Sequence, residues 1–171
     1  MKTIKIGMIG FGTIGAGVAK ILSENSEIIQ KRLGAKVELV KVADLDITTD
    51  RGIKLAPNVL TTSAEEVINH PDITVLIELM GGYELARKFL LQAIEQGKHV
   101  VTANKALLAK HGDELFSAVA EKGLSIGYEA SIGGAIPIIR SVREAFVANN
   151  IQSMEGIVNG TANYILSKMS D

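Results

Sequence analysis

Six residues near the amino terminus constrain this chain more than any other feature. Gly10-Phe11-Gly12-Thr13-Ile14-Gly15 sets three glycines at the spacing G-x-G-x-x-G. The run follows Ile4 to Gly10, which reads as a short buried strand. It opens a pattern in which Ile14, Val18, Ile21, Leu22, Ile28 and Ile29 recur at intervals near three and four, which predicts a helix from about Thr13 to Leu33 ended by Gly34. That setting separates the motif from a chance match. In it Gly10 permits a tight turn, Gly12 lets the backbone approach a pyrophosphate with no side chain in the way, and Gly15 allows close packing of helix on strand. The phosphates would rest on the helix N-terminus, where free N–H groups and the dipole favour anions. The bland alternative is a glycine-rich turn with no ligand.

The rest of the chain continues the alternation. Val37, Leu39, Val40 and Val42 predict a second strand that stops at Ala43 and Asp44, and Ser63 to Asn69 a short helix with a serine cap and Glu66 three residues later. Thr74 to Leu79 reads as a third strand, Tyr83 to Glu95 as a helix stopped by Gly97, and Val100 to Thr102 as a fourth strand. Leu107 to Lys122 is helical again, and Leu124 to Glu129 a fifth strand. Strands alternating with helices predict βαβ units, hence an α/β fold with a doubly wound parallel sheet of Rossmann type. Beyond it come a helical pattern at Ile138 to Val147, a strand-like run at Met154 to Val158 and a helix from Thr161, the expected start of a second, α+β region. We therefore expect a nucleotide-binding domain over residues 1–136 and the beginning of a second region over 137–171. A chain that stops at Asp171 within a helical pattern reads as a truncated piece.

Composition narrows the function classes. A balance of 18 Lys+Arg against 19 Asp+Glu, with no block of like charge, gives no footprint for a phosphate backbone or an anionic membrane. Nucleic acid and membrane are not expected partners. The absence of cysteine excludes disulfides, thiolate metal sites and aldehyde oxidation through a covalent thiohemiacetal. Ile6 to Ala19 is uncharged and follows Lys2 and Lys5, as in a secretory signal, but its five glycines suit a turn better than a hydrophobic helix. A cytoplasmic location is the expectation.

Candidate site residues collect at predicted strand ends, where an open parallel sheet binds its ligands. Asp44 sits where a carboxylate would bond a ribose hydroxyl and repel a 2′-phosphate, while Arg51 and Lys54 are placed to hold one, so NAD and NADP both remain open. Gly81 and Gly82 would let a cofactor pass close to the backbone. Thr102, Ala103, Asn104 and Lys105 would face the crevice, and Lys105 is the candidate catalytic group: its ammonium can orient the nicotinamide half or accept a hydroxyl proton as hydride leaves. Glu129, beside a glycine turn at Gly133 and Gly134, can contribute to an oxygen-only site for a hard cation or simply cap the next helix. Asn159 to Tyr164 clusters amides and hydroxyls at a helix start, which suits a polar ligand or a capped turn with Thr161 as the cap. His70, His99 and His111 are scattered without metal-ligand spacing.

Four blocks together carry a family resemblance. GFGTIG at Gly10–Gly15, VVTANKALLA at Val100–Ala109, EASIGGAIPII at Glu129–Ile139 and GIVNGTANYIL at Gly156–Leu166 stand in the order and spacing of homoserine dehydrogenases, and the chain resembles their N-terminal half. The resemblance implies an NAD(P)-dependent oxidoreductase interconverting L-homoserine and L-aspartate 4-semialdehyde, on the route to threonine and methionine. It implies that Phe11 to Ile14 touch the pyrophosphate and that Thr102 and Lys105 lie on the nicotinamide side. It also implies a sodium ion held by Glu129 with the backbone oxygens of Ile132, Gly134 and Ile136. The NGT turn at Asn159–Thr161, with Gly160 in the cofactor-binding set, would border the active site, and Ile138–Val147 would belong to a homodimer contact. The family's substrate-binding acidic residues and principal catalytic lysine lie beyond the end of this chain, so it is expected to bind cofactor and to turn over little or nothing. The rival readings are a non-catalytic dinucleotide-binding domain and a reductase of another aspartate-derived intermediate.

Overall fold

In the computed structural model, which describes residues 1–157 and 159–170, the glycine motif forms the turn between the first strand and the first helix. β1 (Thr3–Ile9) runs into Gly10, whose φ of +100° lies where only glycine is unstrained, and the chain reverses into α1 (Thr13–Glu24). The reversal is tight enough that a Cβ on Gly15 would lie 2.1 Å from the carbonyl oxygen of Gly10, and one on Gly10 would lie 2.6 Å from the backbone of Leu79. Gly10 also donates its N–H to Ala43 O at 2.8 Å, which ties the turn to the second strand.

From α1 the chain continues through α2 (Ser26–Leu33), β2 (Lys36–Ala43), β3 (Leu60–Thr61), α3 (Ala64–Ile68) and β4 (Val75–Glu78). It then forms α4 (Glu84–Glu95), β5 (His99–Thr102), α5 (Lys105–Glu121) and β6 (Ile126–Gly127). All strand pairs are parallel and the order is β3-β2-β1-β4-β5-β6, so successive crossovers run outward in both directions from β1. That order is the doubly wound arrangement, with its switch point between β1 and β4.

The strand pleat divides the core in two. Ile6 and Met8 pack with Phe11, Ala16, Ala19 and Val42 beneath α1. On the opposite face Ile9 and Leu76 pack against Leu90 and Ile94 of α4 and Leu107 and Leu115 of α5. α1 therefore covers one side, and α3, α4 and α5 the other.

The chain departs from its sequence pattern in several places. The helix expected over Thr13–Leu33 is two helices, broken at Asn25 (φ −105°, ψ 16°), where Asn25 and Ser26 are residue types of low helix propensity. Gly34 does end the second, at φ +69°. β3 has no counterpart in the sequence reading, because two residues carry no periodicity. The strand expected over Leu124–Glu129 shrinks to Ile126–Gly127, and Glu129 opens the one-turn helix α6 (Glu129–Ile132).

The helix expected over Ile138–Val147 is one turn, α7 (Ile138–Arg140), continued by a π-helical turn over Ser141–Ala145. The strand expected over Met154–Val158 does not form at Met154–Ile157, and Val158 lies outside the described residues. α8 (Gly160–Ser170) begins one residue before the expected Thr161 and is capped by Asn159, whose Oδ1 accepts the Ala162 N–H at 2.9 Å. No helix among the described residues is long and apolar enough to cross a membrane.

The three motif glycines differ in what the fold asks of them. Gly10→Ala and Gly15→Ala each force a backbone clash and should lower stability by on the order of 3 kcal/mol. Gly12, with ordinary dihedrals and nothing within 4 Å of a built Cβ, should tolerate Ala within about 1 kcal/mol. Urea unfolding followed by circular dichroism measures all three.

Candidate functional site

The first cleft, about 510 Å³, opens over the carboxyl end of β1 and brings together Gly10, Gly12, Asp44, Met80 and Gly81. Asp44 follows β2, and its carboxylate is an organiser of this wall: Oδ2 accepts the Phe11 N–H, and Oδ1 accepts the Asp46 N–H at 2.9 Å. The Phe11 side chain points the other way, into the core beneath α1. Arg51 does not enter this cleft. It pairs with Asp46 at 3.0 Å and lines a separate recess with Thr13, Gly17 and Lys20. Hydrogen bonds from Thr49 and Thr48 hold the Asp46 carboxyl well below the usual carboxylate range.

The N-terminus of α1 borders the cleft through Gly12. Among the described helices of eight residues or more, α1 alone starts with neither a capping side chain nor an acidic residue in its first turn: α2 has Glu27, α4 has Glu84, α5 is capped by Asn104 and α8 by Asn159. Its first N–H groups and the positive end of its dipole thus carry no capping side chain or first-turn acid, and the Asp44 carboxylate stands just outside the helix, on the Phe11 N–H.

A second cleft, about 710 Å³, lies on the α1 side of β4, β5 and β6, where Ile14, Thr102, Ala103, Tyr128, Glu129 and Arg140 meet. Thr102 is 1% exposed, and its hydroxyl donates to Glu78 Oε2 at 2.6 Å. Lys105 is exposed at the first residue of α5. It lines a third recess with Phe116, Tyr128, Ser131 and Ile132, and Tyr128 forms a wall shared with the second cleft. Gly160 is exposed at the start of α8 and does not line these three clefts.

The Glu129 carboxylate works as a cap: Oε1 accepts the Ile139 N–H at 2.8 Å and Oε2 the Arg140 N–H at 3.1 Å, at the opening of α7. The turn behind it is tight. Ala135 adopts φ +64°, Ile136 donates to Gly133 O at 2.7 Å, and Ile136 O accepts from Ile138 at 2.8 Å. Among the described residues no three His, Asp or Glu side chains gather as metal ligands, so a cation here would rest on one carboxylate and backbone carbonyls.

Sequence reasoning missed Glu78. It is the last residue of β4, registered between Ile9 of β1 and Thr102 of β5, and is fully buried. Its Oε1 accepts the Met80 N–H at 2.8 Å while Oε2 takes the Thr102 hydroxyl. Thr102 Oγ1 in turn accepts the Asn104 N–H at 3.0 Å, and Asn104 donates to Gly82 O and caps α5 at Leu107. Burial pushes the Glu78 carboxyl above its ordinary value of 4.5, against hydrogen bonds from Thr102, Met80 and Asn104. The available signal was a lone carboxylate inside the apolar run Val75–Leu79, at a strand end.

A doubly wound parallel sheet with a glycine turn, an open helix N-terminus and an acidic residue after β2 defines a dinucleotide-binding protein of the Rossmann class. Comparison with known proteins specifies the family. Residues 10–129 match the family described as "Homoserine dehydrogenase, NAD binding domain", and residues 137–171 match "Homoserine dehydrogenase". The chain belongs to the homoserine dehydrogenase family.

It is 43% identical over 171 residues to homoserine dehydrogenase of Pseudomonas aeruginosa and 43% identical over 169 residues to that of Bacillus subtilis. These alignments take in 100% and 99% of this chain but 39% of each relative, so the chain spans well under half the length of the curated relatives it matches. The crystal structure of a homoserine dehydrogenase from Thiobacillus denitrificans superposes with a TM-score of 0.91 at 44% identity, over 99% of this chain and 39% of that one. A hyperthermophilic archaeal homoserine dehydrogenase in complex with NADPH gives 0.80 at 25% identity, over 98% and 56%.

The raised Glu78 carboxyl predicts a pH signature. Folding favours its neutral form, so the stability it contributes is complete below the ordinary value and is lost as pH rises through the folded value. Relative to wild type, Glu78→Gln should therefore gain stability as pH rises through that window, by about 1.4 kcal/mol per unit of displacement, and stay level above it. Urea midpoints of both chains from about pH 4 to 8 read the difference; parallel curves would contradict it.

Proposed function

We propose that this chain is the cofactor-binding part of an NAD(P)-dependent homoserine dehydrogenase, the whole enzyme interconverting L-homoserine and L-aspartate 4-semialdehyde. The observation that carries the reading is Gly12. Nothing in the protein requires glycine there, since its dihedrals are ordinary and a Cβ would meet no atom within 4 Å, yet it borders the uncapped start of α1. A ligand that needs backbone at close range accounts for it, and a pyrophosphate on free N–H groups fits both features.

On this reading Gly10 to Gly15 form the pyrophosphate cradle, with Thr13 and Ile14 supplying first-turn N–H groups. Gly81 leaves the opposite wall free of a side chain, and Asp44 faces the adenosine ribose. Asp44 favours NAD over NADP, because its carboxylate would oppose a 2′-phosphate while Arg51 is engaged with Asp46 outside the cleft. The archaeal relative solved with NADPH supports a nicotinamide dinucleotide as the ligand class.

A nicotinamide cofactor, when bound, supplies the hydride chemistry; the chain's residues supply orientation and proton handling. On this reading Lys105, the first residue of α5, takes the hydroxyl proton of the substrate or returns it. Thr102 and Ala103 form the floor on the nicotinamide side. The Glu129 carboxylate and the carbonyls of Ile132, Gly134 and Ile136 are an all-oxygen donor set suited to sodium, and oxygens that already accept one N–H keep a further lone pair. Gly160, in the Asn159–Thr161 turn, completes the site in the whole enzyme. Residues 1–136 form the nucleotide-binding domain and 137–171 the start of a dimerisation and substrate region. The separate family matches over 10–129 and 137–171 support that division. The whole enzyme is read as a cytoplasmic homodimer.

Titration with NADH and NADPH, followed by the fluorescence of the nicotinamide, tests the reading directly. NADH should bind, NADPH about tenfold more weakly, and Gly12→Glu should abolish both. A folded chain that binds neither would remove the proposal. In a chain of the relatives' full length, Lys105→Ala should lower kcat for homoserine oxidation by about 10²- to 10⁴-fold with cofactor binding largely retained. Unchanged turnover would remove Lys105 from the proton step.

A further inference from the structure

Glu78 presents a physical puzzle. The carboxylate is fully buried, it has no salt-bridge partner among the described residues, and burial disfavours its charged form. An apolar residue at the end of β4 would avoid that desolvation. The acceptors it provides, however, reach two separate pieces of the crevice. One oxygen holds the N–H of Met80, which lines the cleft of Gly10, Gly12 and Asp44; the other holds the hydroxyl of Thr102, which lines the cleft of Ile14 and Glu129. The bridge is closed on its outer side by Asn104, whose N–H goes to Thr102 Oγ1, whose amide donates to Gly82 O and whose carbonyl caps α5. The loop after β4 and the turn after β5 are thereby fastened to each other through one carboxylate and one amide.

We propose that Glu78 is a positioning residue that sets the spacing between the two halves of the crevice, so that a ligand spanning both clefts meets them in register. The inference rests on the cofactor reading above and deepens it: the ligand it serves is one with two ends, a dinucleotide, and not a mononucleotide seated in one cleft. Each cleft keeps its own walls when the bridge is lost. What goes is the fixed relation between Met80–Gly82 and Thr102–Asn104, and with it the advantage of binding both ends at once.

The experiment compares NADH, which spans both clefts, with ADP, which fills only the adenosine side, on this 171-residue chain. Dissociation constants are measured by nicotinamide fluorescence for NADH and by calorimetry for ADP, with circular dichroism melting curves for each variant. Glu78→Met, which keeps the length of the side chain but accepts neither hydrogen bond, should weaken NADH about tenfold and leave ADP within about twofold. Thr102→Val should give the same split without touching the carboxylate, and Thr102→Ser, which restores the hydroxyl, should return NADH affinity to the wild-type range. A merely structural role would lower the melting temperature and weaken both ligands by the same factor, and that parallel loss overturns the proposal. NADH binding unchanged in Thr102→Val overturns it as well. If the wild-type chain binds neither ligand, the cofactor reading itself has failed; if wild type binds NADH and only the split is missing, the failure is confined to Glu78.

Discussion

The contact on which the rest of the structure depends is the approach of Gly15 to the carbonyl of Gly10. A chain leaving a central strand must turn, reach the sheet's covering layer and start a helix within a few residues, and here it does so with the helix pressed against its own turn. No Cβ fits in that gap. Because α1 lies so close, Ala16 and Ala19 can meet Met8 and Val42, the small side chains of the helix matching the large ones of the sheet. The same turn donates from Gly10 to Ala43 and from Phe11 to Asp44, so the position of β2's end, and of the acidic side chain that follows it, is inherited from the glycine turn.

From this follows the placement of the clefts. The sheet order puts β1 beside both β2 and β4, and the crossovers depart to opposite faces, so the loops at the carboxyl ends of β1 and β4 diverge and leave a crevice. β1 supplies the glycine turn to it, β2 supplies Asp44, β4 supplies Glu78 and the glycines after it, and β5 supplies Thr102 and Asn104. Four strand ends thus contribute one constellation although they are spread over about a hundred residues of chain. Glu78 differs from the rest in being fully buried; through Met80 and Thr102 it holds the loops rather than lining the space between them.

Most of this was legible in the sequence wherever a feature repeats or is chemically unusual. The glycine spacing, the helix periods of α4 and α5, the Gly34 stop and the Ser63 cap all have local causes that a window of ten or fifteen residues contains. What could not be read depends on partners far away along the chain. β3 exists because Val42 and Asp44 donate to Val59 and Thr61, not because Leu60 and Thr61 have any strand pattern. The break at Asn25 is invisible to an apolar count because Ile28 and Ile29 continue the period while α2 buries no residue. Glu129 had two readings from spacing alone, and the cap it makes to residues ten and eleven positions on needed the fold of the intervening turn. Glu78 is the extreme case, since a single carboxylate in a buried strand carries no motif and acquires meaning only from the Thr102 hydroxyl 24 residues away.

A comparison among groups of one type then separates what the fold requires from what it merely accommodates. Gly10 and Gly15 are fixed by steric need, so their presence says nothing about a ligand; at Gly12 and Gly81 a side chain would meet open space, so the fold does not demand glycine there. Helix starts divide the same way. Asn104 and Asn159 satisfy α5 and α8 from within the chain, and acidic residues stand in the first turns of α2 and α4, whereas α1 has neither. Buried carboxyl chemistry adds a third instance, since burial disfavours the charged form of Glu78 and no salt-bridge partner among the described residues offsets it. Gly12, Gly81, the helix start without a capping side chain and the buried Glu78 carboxyl sit together at the carboxyl ends of β1 and β4. Independent departures from what stability alone would select, converging on one crevice, are the physical argument that the crevice is where this chain acts.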